Sequence, residues 1–220
     1  MERAVHTEEI ARGAGVRAVL RDGAEIEIRR LRPSDAPILA SAFERLSAES
    51  RRLRFLAPKD RLSERELRYL TDVDGHHHEA LIASDPRTGQ GVAVARFIRL
   101  QDEPDVAEVA VTVADDWQQR GLGTVLLEAL AERARAEGVT HFSALIAAEN
   151  TLMRDVLRHA GGAVEPVGAG GGVLEYRTDL TRGAGIGGDL RDALRSAAQG
   201  RLSLPERIAE LLRGVFSPRS

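Results

Sequence analysis

A glycine-containing stretch near the middle of the chain has the composition of a phosphate-binding turn. It reads Gln118-Gln119-Arg120-Gly121-Leu122-Gly123, and an apolar helical pattern follows from Thr124. Glycine inside a helix costs about 1 kcal/mol relative to alanine, so two glycines here indicate close approach to the backbone. The first N–H groups of a helix are unpaired and lie at the positive end of its dipole. We therefore predict a pyrophosphate site; the alternative is a glycine-softened turn without a ligand.

Three further elements must position this turn. Val106–Val113 is β-branched and alternating, Thr124–Glu137 has one apolar face and ends at Gly138, and Val139–Ala148 reads as another strand. Together they form a βαβ unit with the glycines at its strand-to-helix turn. A Walker loop is excluded because this turn has no lysine. A dinucleotide-binding fingerprint is excluded as well, because it needs three glycines and an acid on the next strand, and VTHFSALIAA carries no acid.

The rest of the chain alternates predicted strands and short helices. Asp22-Gly23 is a hairpin signal, and Ser63 with Glu66 forms a possible capping box for a helix through Leu70. The other predicted elements are strands over Val16–Leu20, Ala24–Leu31, Glu79–Ser84, Gly91–Leu100, Ala163–Val167 and Val173–Leu180, and helices from Pro33-Ser34-Asp35, over Ala48–Phe55 and over Asn150–His159.

Composition favours one globular domain. Of 220 residues, 43% are hydrophobic and 30% charged, which suits a domain over 16–180 with a loose extension over 1–15. The shift at RGAGIGGD predicts a linker and a partly helical or mobile tail over 181–220. A net charge of −3 argues against a nucleic-acid partner, and no apolar run approaches the ~20 residues of a membrane helix. We expect a cytoplasmic protein.

The turn and its flanking elements resemble the GCN5-related N-acetyltransferases. That family carries Gln/Arg-x-x-Gly-x-Gly/Ala between its fourth strand and third helix, as Gln118 to Gly123 does here. The segments ESRRLRFL, ELRYLTDVDGHHHEALIA and VAEVAVTVADDWQQRGLG look more narrowly like the actinobacterial protein lysine acetyltransferases. The resemblance implies a mixed α/β (α+β) fold, with a twisted, mostly antiparallel sheet that splays between Val106–Val113 and Val139–Ala148.

The resemblance also implies acetyl-CoA as co-substrate, without a metal. The backbone near Val111 would pair with the pantetheine arm and donate to the thioester oxygen. Asn150 would contact the CoA arm. The expected acetyl-CoA contacts are Val111, Thr112, Val113, Gln119, Arg120, Gly121, Leu122, Gly123, Thr124 and Asn150.

Glu108 is the candidate general base. A free lysine has a pKa of about 10.4, so near neutral pH a base must take its proton before the amine can attack. Glu108 lies in the otherwise apolar run VAEVAVTV, at the position that the resemblance gives to the base. Partial desolvation in a cleft would raise its pKa toward the useful range. The alternative is a glutamate on the solvent face of an alternating strand.

Two features bear on the route of transfer. Many relatives carry an acid tyrosine seven residues after the motif asparagine, but Leu157 stands there in this chain. Either another group protonates the departing thiolate or none is needed. The chain has no cysteine, which excludes an acetyl-cysteine intermediate and favours direct transfer in a ternary complex.

Two charged clusters have open interpretations. The histidines of His76-His77-His78-Glu79 would point to alternating sides of a strand edge, so we predict no metal site. The remaining interpretations are a plain polar loop and a substrate-facing or pH-sensitive loop. Arg51, Arg52 and Arg54 form either a solvated helix face or a surface that orients an acidic protein substrate.

The functional hypothesis is acetyl transfer to lysine side chains of proteins, such as metabolic enzymes. The alternatives are N-acetylation of small amines or antibiotics, and a non-catalytic CoA-binding regulator. Fold does not choose between these functions. A small-molecule acceptor needs a closed pocket and a protein acceptor an open groove. The sequence leaves that choice and the oligomeric state open.

Overall fold

The fold is a single twisted sheet with helices on both faces. The computed structural model describes residues 15–154, 165–170 and 172–181, which form an eight-stranded sheet in the order β1-β2-β3-β4-β5-β6-β8-β7. All neighbours are antiparallel except β5 and β6. The predicted fold class is confirmed. The strands are β1 Val16–Val19, β2 Glu25–Arg30, β3 His78–Ser84, β4 Gly91–Arg99, β5 Val106–Val113, β6 His141–Ala147, β7 Glu165–Gly170 and β8 Val173–Asp179.

Period-two alternation divides the apolar side chains between two cores. The helices are α1 Ala36–Glu44, α2 Ala48–Phe55, α3 Glu64–Thr71 and α4 Leu122–Ala136. Leu81 and Ala83 of β3 pack with the buried face of α4 in the larger core. Ala80 and Ile82 of the same strand pack with Leu39 of α1 in the smaller one. The two faces of the sheet are therefore covered by different helices.

The sheet splays between β5 and β6. Their parallel pairing is confined to Val106↔His141, Ala107↔Phe142 and Glu108↔Ser143. On its other edge β5 stays paired with β4 as far as Val113. Beyond Glu108, the β6-facing edge of β5 therefore has no strand partner among the described residues. This is the predicted splay.

Local signals placed most elements correctly. The hairpin forms at Asp22-Gly23, with φ +82° at Gly23, and Ser63 and Glu66 make the reciprocal capping box. Helix α4 begins at Leu122 instead of Thr124, because Gly121 in the left-handed region is its N-cap. Strand β7 continues through Gly168–Gly170, beyond the predicted strand end at Val167, because β8 supplies ladder partners there.

Some predictions fall on residues that the structure does not describe. These are 1–14 of the predicted N-terminal extension, 182–220 of the predicted tail, and 155–159 of the helix predicted over Asn150–His159, which includes Leu157. Helical backbone is present at 151–154. Among the described residues, no helix is long and apolar enough to cross a membrane.

A buried carboxylate joins three elements of the fold. Glu79 of β3 is 0% exposed. Its Oε1 accepts from Nε of Arg30 on β2 at 3.1 Å, and its Oε2 accepts from Nη2 of Arg133 on α4 at 3.1 Å. A buried carboxylate between two guanidiniums is stable only while all three groups are present, because each charge offsets the desolvation of the others.

Replacing Glu79 with glutamine should lower the free energy of unfolding by about 3 kcal/mol, because Arg30 and Arg133 lose their shared counter-charge. Urea denaturation followed by circular dichroism measures this. Glu64→Gln is the matched control, since the Glu64 side chain is 92% exposed in its ion pair with Arg68. The control should stay within about 0.5 kcal/mol of the parent. Equal effects in the two variants would contradict the assignment.

Candidate active site

Strand β5 presents two different faces to the rest of the molecule. The side chains of Val111 and Val113 pack against the larger core beside α4. Ala110 and Thr112 point to the opposite face, where they line a pocket under α1 and α2. By the same alternation Glu108 lies on the pocket face. A donor site along the edge of β5 and an acceptor site on its pocket face would therefore meet at this strand.

The Glu108 side chain is exposed to solvent. Partial desolvation in a cleft was the expectation for this carboxylate, and the structure differs on this point. Exposure is also what the alternative interpretation, a solvent-facing glutamate, predicts. Two facts set Glu108 apart from an ordinary surface residue: it is the last β5 residue paired with β6, and its charge acts on Arg54 of α2.

The loop after β5 is anchored to the strand by a side-chain amide. A 3₁₀ turn over Asp115–Trp117 follows the strand. Nε2 of Gln118 then donates to the carbonyl oxygen of Val113 at 3.2 Å, to Oδ1 of Asp115 at 2.9 Å and to Oγ of Ser50 at 3.2 Å. Gln118 therefore fixes the loop against α2 and the strand end.

Two residues in the left-handed region shape the predicted pyrophosphate turn. Gln119 has φ +60° and Gly121 has φ +84°. At the start of α4 the N–H of Val125 donates to the carbonyl oxygen of Gly121, so the preceding N–H groups of the helix start are available to an anion. A Cβ at Gly121 would meet nothing within 4 Å, which shows open space over the backbone there.

The second glycine of the turn has a different role. Gly123 has no positive φ, and a Cβ on it would lie 3.5 Å from Cγ2 of Val113 and 3.8 Å from Cγ1 of Val111. Those are ordinary van der Waals contacts. The requirement for glycine is therefore conformational at Gly121 and weak at Gly123, which agrees with a motif that accepts alanine at its last position.

Arg120 is held beside the turn by neighbours on both sides. Its Nη1 lies 3.2 Å from Oδ2 of Asp22 in the β1–β2 hairpin, and its Cζ lies 4.9 Å from the ring centroid of Trp117. The side chain is about one-third exposed. A guanidinium in that position can move to a bound phosphate at small cost, since exposed ion pairs contribute little.

Asn150 already has one local partner. Its Oδ1 accepts from the N–H of Met153 at 3.1 Å, and helical backbone begins at Thr151. The carbonyl oxygen of the amide thus serves as a helix cap, while the NH₂ group points to no partner in the described part of the chain. The expected contact with the CoA arm stays a prediction.

Two arginines line the apolar pocket on the Ala110 and Thr112 face of β5. The space is 540 Å³, part of it open to solvent, and its lining includes Phe43 of α1, Val94 of β4, and both Arg54 and Arg96. Arg96 is 5% exposed. Burial, and secondarily the positive charge of Arg54, lowers the pKa of Arg96 to about 9, so the group is cationic near neutral pH.

Sequence analysis named Arg54 but missed Arg96. Arg96 lies in the run GVAVARFIRL, which was assigned only as a strand. A signal was available, because an arginine flanked by buried apolar residues in a strand has to be compensated somewhere in the fold.

The histidine cluster divides between structure and surface. Asp74 Oδ1 accepts from the backbone N–H groups of His76, His77 and His78 at 2.7, 2.7 and 2.9 Å, which fixes the loop. His76 Nδ1 lies 2.8 Å from Glu137 Oε2. In the described part of the chain, no group of three or more His, Cys, Asp or Glu side chains is placed to hold a metal ion.

His78 belongs to the pocket side of the sheet. Its side chain is buried, and its Nε2 lies 3.0 Å from Nη1 of Arg96, so the ring nitrogen accepts from the guanidinium. Burial, reinforced by the charge of Arg96, lowers the pKa of His78 to about 4. The ring is therefore neutral through the physiological range, and it does not serve as a switch near pH 7.

Comparison with known proteins decides the family. Residues 42–161 match the acetyltransferase (GNAT) family, which is more than half of the chain. The chain belongs to the acetyltransferase (GNAT) family. The GNAT match contains β5, the glycine turn and α4, so the residues that carried the resemblance lie inside it.

Named relatives confirm the narrower resemblance. Acetyltransferase Pat of Mycolicibacterium smegmatis is 32% identical over 142 residues, which are 64% of this chain and 42% of that protein. The GNAT domain of S. lividans PAT is 32% identical with a TM-score of 0.71, over 81% of this chain and 99% of that one. The chain spans less than half of the mycobacterial relative.

A more distant structure shares the fold. A putative acetyltransferase from Salmonella typhimurium, solved with its cofactor acetyl-CoA, is 19% identical with a TM-score of 0.56. The superposition covers 73% of this chain and 97% of that chain. At this identity the likeness shows the GNAT fold.

Gly121→Ala should weaken acetyl-CoA binding roughly tenfold and lower the free energy of unfolding by about 1 kcal/mol, because a Cβ is strained at φ +84°. Gly123→Ala is the matched control and should change both quantities little. Isothermal titration with acetyl-CoA and urea denaturation measure the two effects. Stronger loss of binding in the control than in Gly121→Ala would be the contrary result.

The folded protein should lose stability in acid through His78. Its pKa is 6.5 ordinarily and about 4 when folded, so the unfolded chain binds more protons between these values. The contribution is full above pH 6.5 and is lost as the pH falls toward 4. From pH 8 to pH 5 the parent should lose on the order of 2 kcal/mol more than His78→Gln. Urea denaturation at both pH values tests this; equal losses would contradict it.

Proposed function

We propose that this protein is an acetyl-CoA-dependent N-acetyltransferase that acetylates lysine side chains of proteins, with Glu108 as general base. The observation that carries the proposal is the position of Glu108. It ends the β5–β6 pairing, faces the pocket side of the sheet, and immediately precedes the unpaired edge of β5. One strand thus holds a proton acceptor, a free backbone edge and the entry to the glycine turn.

The residues present fit acetyl-CoA. The unpaired edge at Val111, Thr112 and Val113 offers strand-like backbone partners for the amides of a pantetheine arm. The turn from Gln119 to Thr124 offers helix N–H groups, the Arg120 guanidinium and open space above Gly121 for a pyrophosphate. Acetyl-CoA supplies an acetyl group activated as a thioester.

The chain's own residues would remove the proton from the amine and stabilise the negative charge on the thioester oxygen. Glu108 takes a proton from the incoming ammonium group, directly or through a water molecule, and the free amine becomes the nucleophile. A backbone N–H near Val111 donates to the thioester oxygen, which gains negative charge as the amine attacks. The amine forms its bond to the acetyl carbon while the carbon–sulfur bond breaks with its electron pair going to sulfur, and the second proton that the nitrogen loses passes to solvent.

The route is direct transfer within a ternary complex. The sequence has no cysteine that could hold the acetyl group. Leu157 at the acid-tyrosine position supplies no proton, and a CoA thiolate is stable enough near neutral pH to leave without one. Both features support a route that depends on one carboxylate.

A protein acceptor is supported by the relatives. The S. lividans structure is described as the GNAT domain of PAT, and the mycobacterial relative as acetyltransferase Pat. The pocket on the face of β5 that carries Ala110 and Thr112 is partly open to solvent, as entry of a lysine side chain requires. Metabolic enzymes are the expected acceptors, and a cytoplasmic location stays a prediction.

Glu108→Gln should lower kcat/KM for acetyl transfer by roughly 100-fold or more, because the amide cannot take the proton. The dissociation constant for acetyl-CoA should not change. The assay follows labelled acetyl-CoA with native and denatured protein extracts and a panel of small amines. Asp102→Asn is the matched control, since Asp102 is exposed in the loop before β5.

The acceptor panel separates the competing functions. Label on specific lysines of native proteins, lost in Glu108→Gln but kept in Asp102→Asn, supports the proposal. Label on small amines alone would assign the enzyme to metabolite or antibiotic modification. Binding of acetyl-CoA without transfer to any acceptor would support a non-catalytic regulator instead.

A further inference from the structure

The pocket on the acceptor face combines apolar walls with two cations. The apolar lining includes Leu39 and Phe43 of α1, Val94 of β4 and Ala110 of β5. The guanidiniums of Arg54 on α2 and Arg96 on β4 open into the same space. Apolar walls strengthen any charge–charge interaction inside, because they exclude high-dielectric solvent.

The hydrogen bonds of Arg96 leave its charge uncompensated. Its Nη1 donates to the carbonyl of Leu70 at 2.9 Å and lies 3.0 Å from Nε2 of His78. Both partners are neutral, since the pKa of His78 is lowered to about 4. Within the described residues, no carboxylate lies within ion-pair distance of Arg96.

Arg54 likewise has no carboxylate partner among the described residues. Its Cζ lies 5.0 Å from the ring centroid of Phe55, and it forms no ion pair in the part of the chain that the structure describes. Burial lowers the pKa of Arg54, and the charge of Glu108 offsets this in part from beyond contact distance. Arg54 and Arg96 are close enough for the charge of one to act on the other.

Three other arginines of the described sheet, Arg29, Arg30 and Arg177, have carboxylate partners. Arg29 bonds Asp35 through two nitrogens at 2.7 and 2.8 Å, and Arg177 bonds Glu103 at 2.9 and 2.8 Å. A buried cation without a counter-charge is costly, and two neighbouring ones repel each other as well. The missing negative charge at this pocket is therefore the kind of group that a ligand would supply.

We propose that Arg54 and Arg96 form a carboxylate subsite that binds an aspartate or glutamate side chain lying close to the acceptor lysine in the protein substrate. This rests on the proposed function, since it deepens the choice of acceptor at the same site. The planar fork of a guanidinium matches a carboxylate and holds it through paired N–H donors. The apolar lining suits the methylene stem of an acidic side chain.

The subsite also explains how Glu108 stays available as a base. A substrate carboxylate between the two guanidiniums offsets one of their two positive charges, so that Arg54 depends less on Glu108 for compensation. The enzyme would then select protein substrates that carry a negative charge beside the acceptor lysine, and this selectivity would be strongest at low ionic strength.

The test uses blocked peptides with one lysine, made in pairs with glutamate or glutamine at each neighbouring position in turn. The full chain should acetylate the glutamate peptide with roughly tenfold higher kcat/KM at one or more positions. Arg54→Gln and Arg96→Gln should each reduce this preference to less than about threefold. Arg68→Gln is the matched control, since its side chain is 73% exposed on α3, and it should keep the preference.

A second measurement makes the result independent of catalysis and of folding. Calorimetric titration of the peptide pairs into Glu108→Gln, with and without Arg54→Gln, reports binding alone. Circular dichroism melting confirms the fold of each variant. If Arg96→Gln unfolds, the peptide preference of Arg54→Gln alone decides whether the subsite exists, because Arg54 is partly exposed.

The outcomes separate the subsite from the proposed function. Transfer to both peptides of every pair at equal rates, or a preference unchanged by Arg54→Gln, would overturn the subsite and leave lysine acetylation standing. Absence of transfer, with glutamate-selective binding that Arg54→Gln removes, would keep the subsite and overturn the proposed reaction. Selectivity for free amino acids over their amides, without any preference among peptides, would overturn the protein source in favour of a small acceptor.

Discussion

The proposed acetyl-CoA site depends on a limit to strand pairing. Parallel pairing of β5 and β6 stops at Glu108↔Ser143, and the two strands diverge from there. A backbone edge that is left unpaired inside a fold needs hydrogen-bond partners, and a ligand with amide groups can provide them. The same divergence leaves room at the start of α4, where the helix N–H groups lie next to the open edge. The proposed donor site follows from this end of the β5–β6 ladder.

The charges that join the elements of the fold are paired, whereas the two cations in the pocket are not. The framework uses paired charges: Glu79 with Arg30 and Arg133 joins β2, β3 and α4, and Asp35 with Arg29 fixes the turn before α1. In the pocket, Arg54 and Arg96 lack such partners among the described residues, and Glu108, whose charge acts on Arg54, stays exposed. Stable protein interiors compensate their charges, so an uncompensated pair on the same face as the proposed base supports the proposed carboxylate subsite.

Glycine has two separate roles in the turn after β5. At Gly121 the backbone is in the left-handed region, which side chains with a Cβ enter only at a cost. At Gly123 the backbone is ordinary and a Cβ would have normal contacts. From the sequence these two glycines were equivalent, since both precede an apolar helix and both lack a side chain. Only the dihedral angles and the positions of Val111 and Val113 separate conformational need from packing.

The sequence by itself determined the elements and the family. Alternation defined β5 as Val106–Val113, the Ser63–Glu66 pair defined the start of α3, and the glycine motif identified the GNAT match, because these signals are local in the chain. It could not place Arg96 beside Arg54, whose strand and helix are far apart in sequence, or show that pairing ends at Glu108. Those facts depend on contacts between distant segments. Tertiary structure alone decided which charges are compensated, because compensation is a property of neighbours in space.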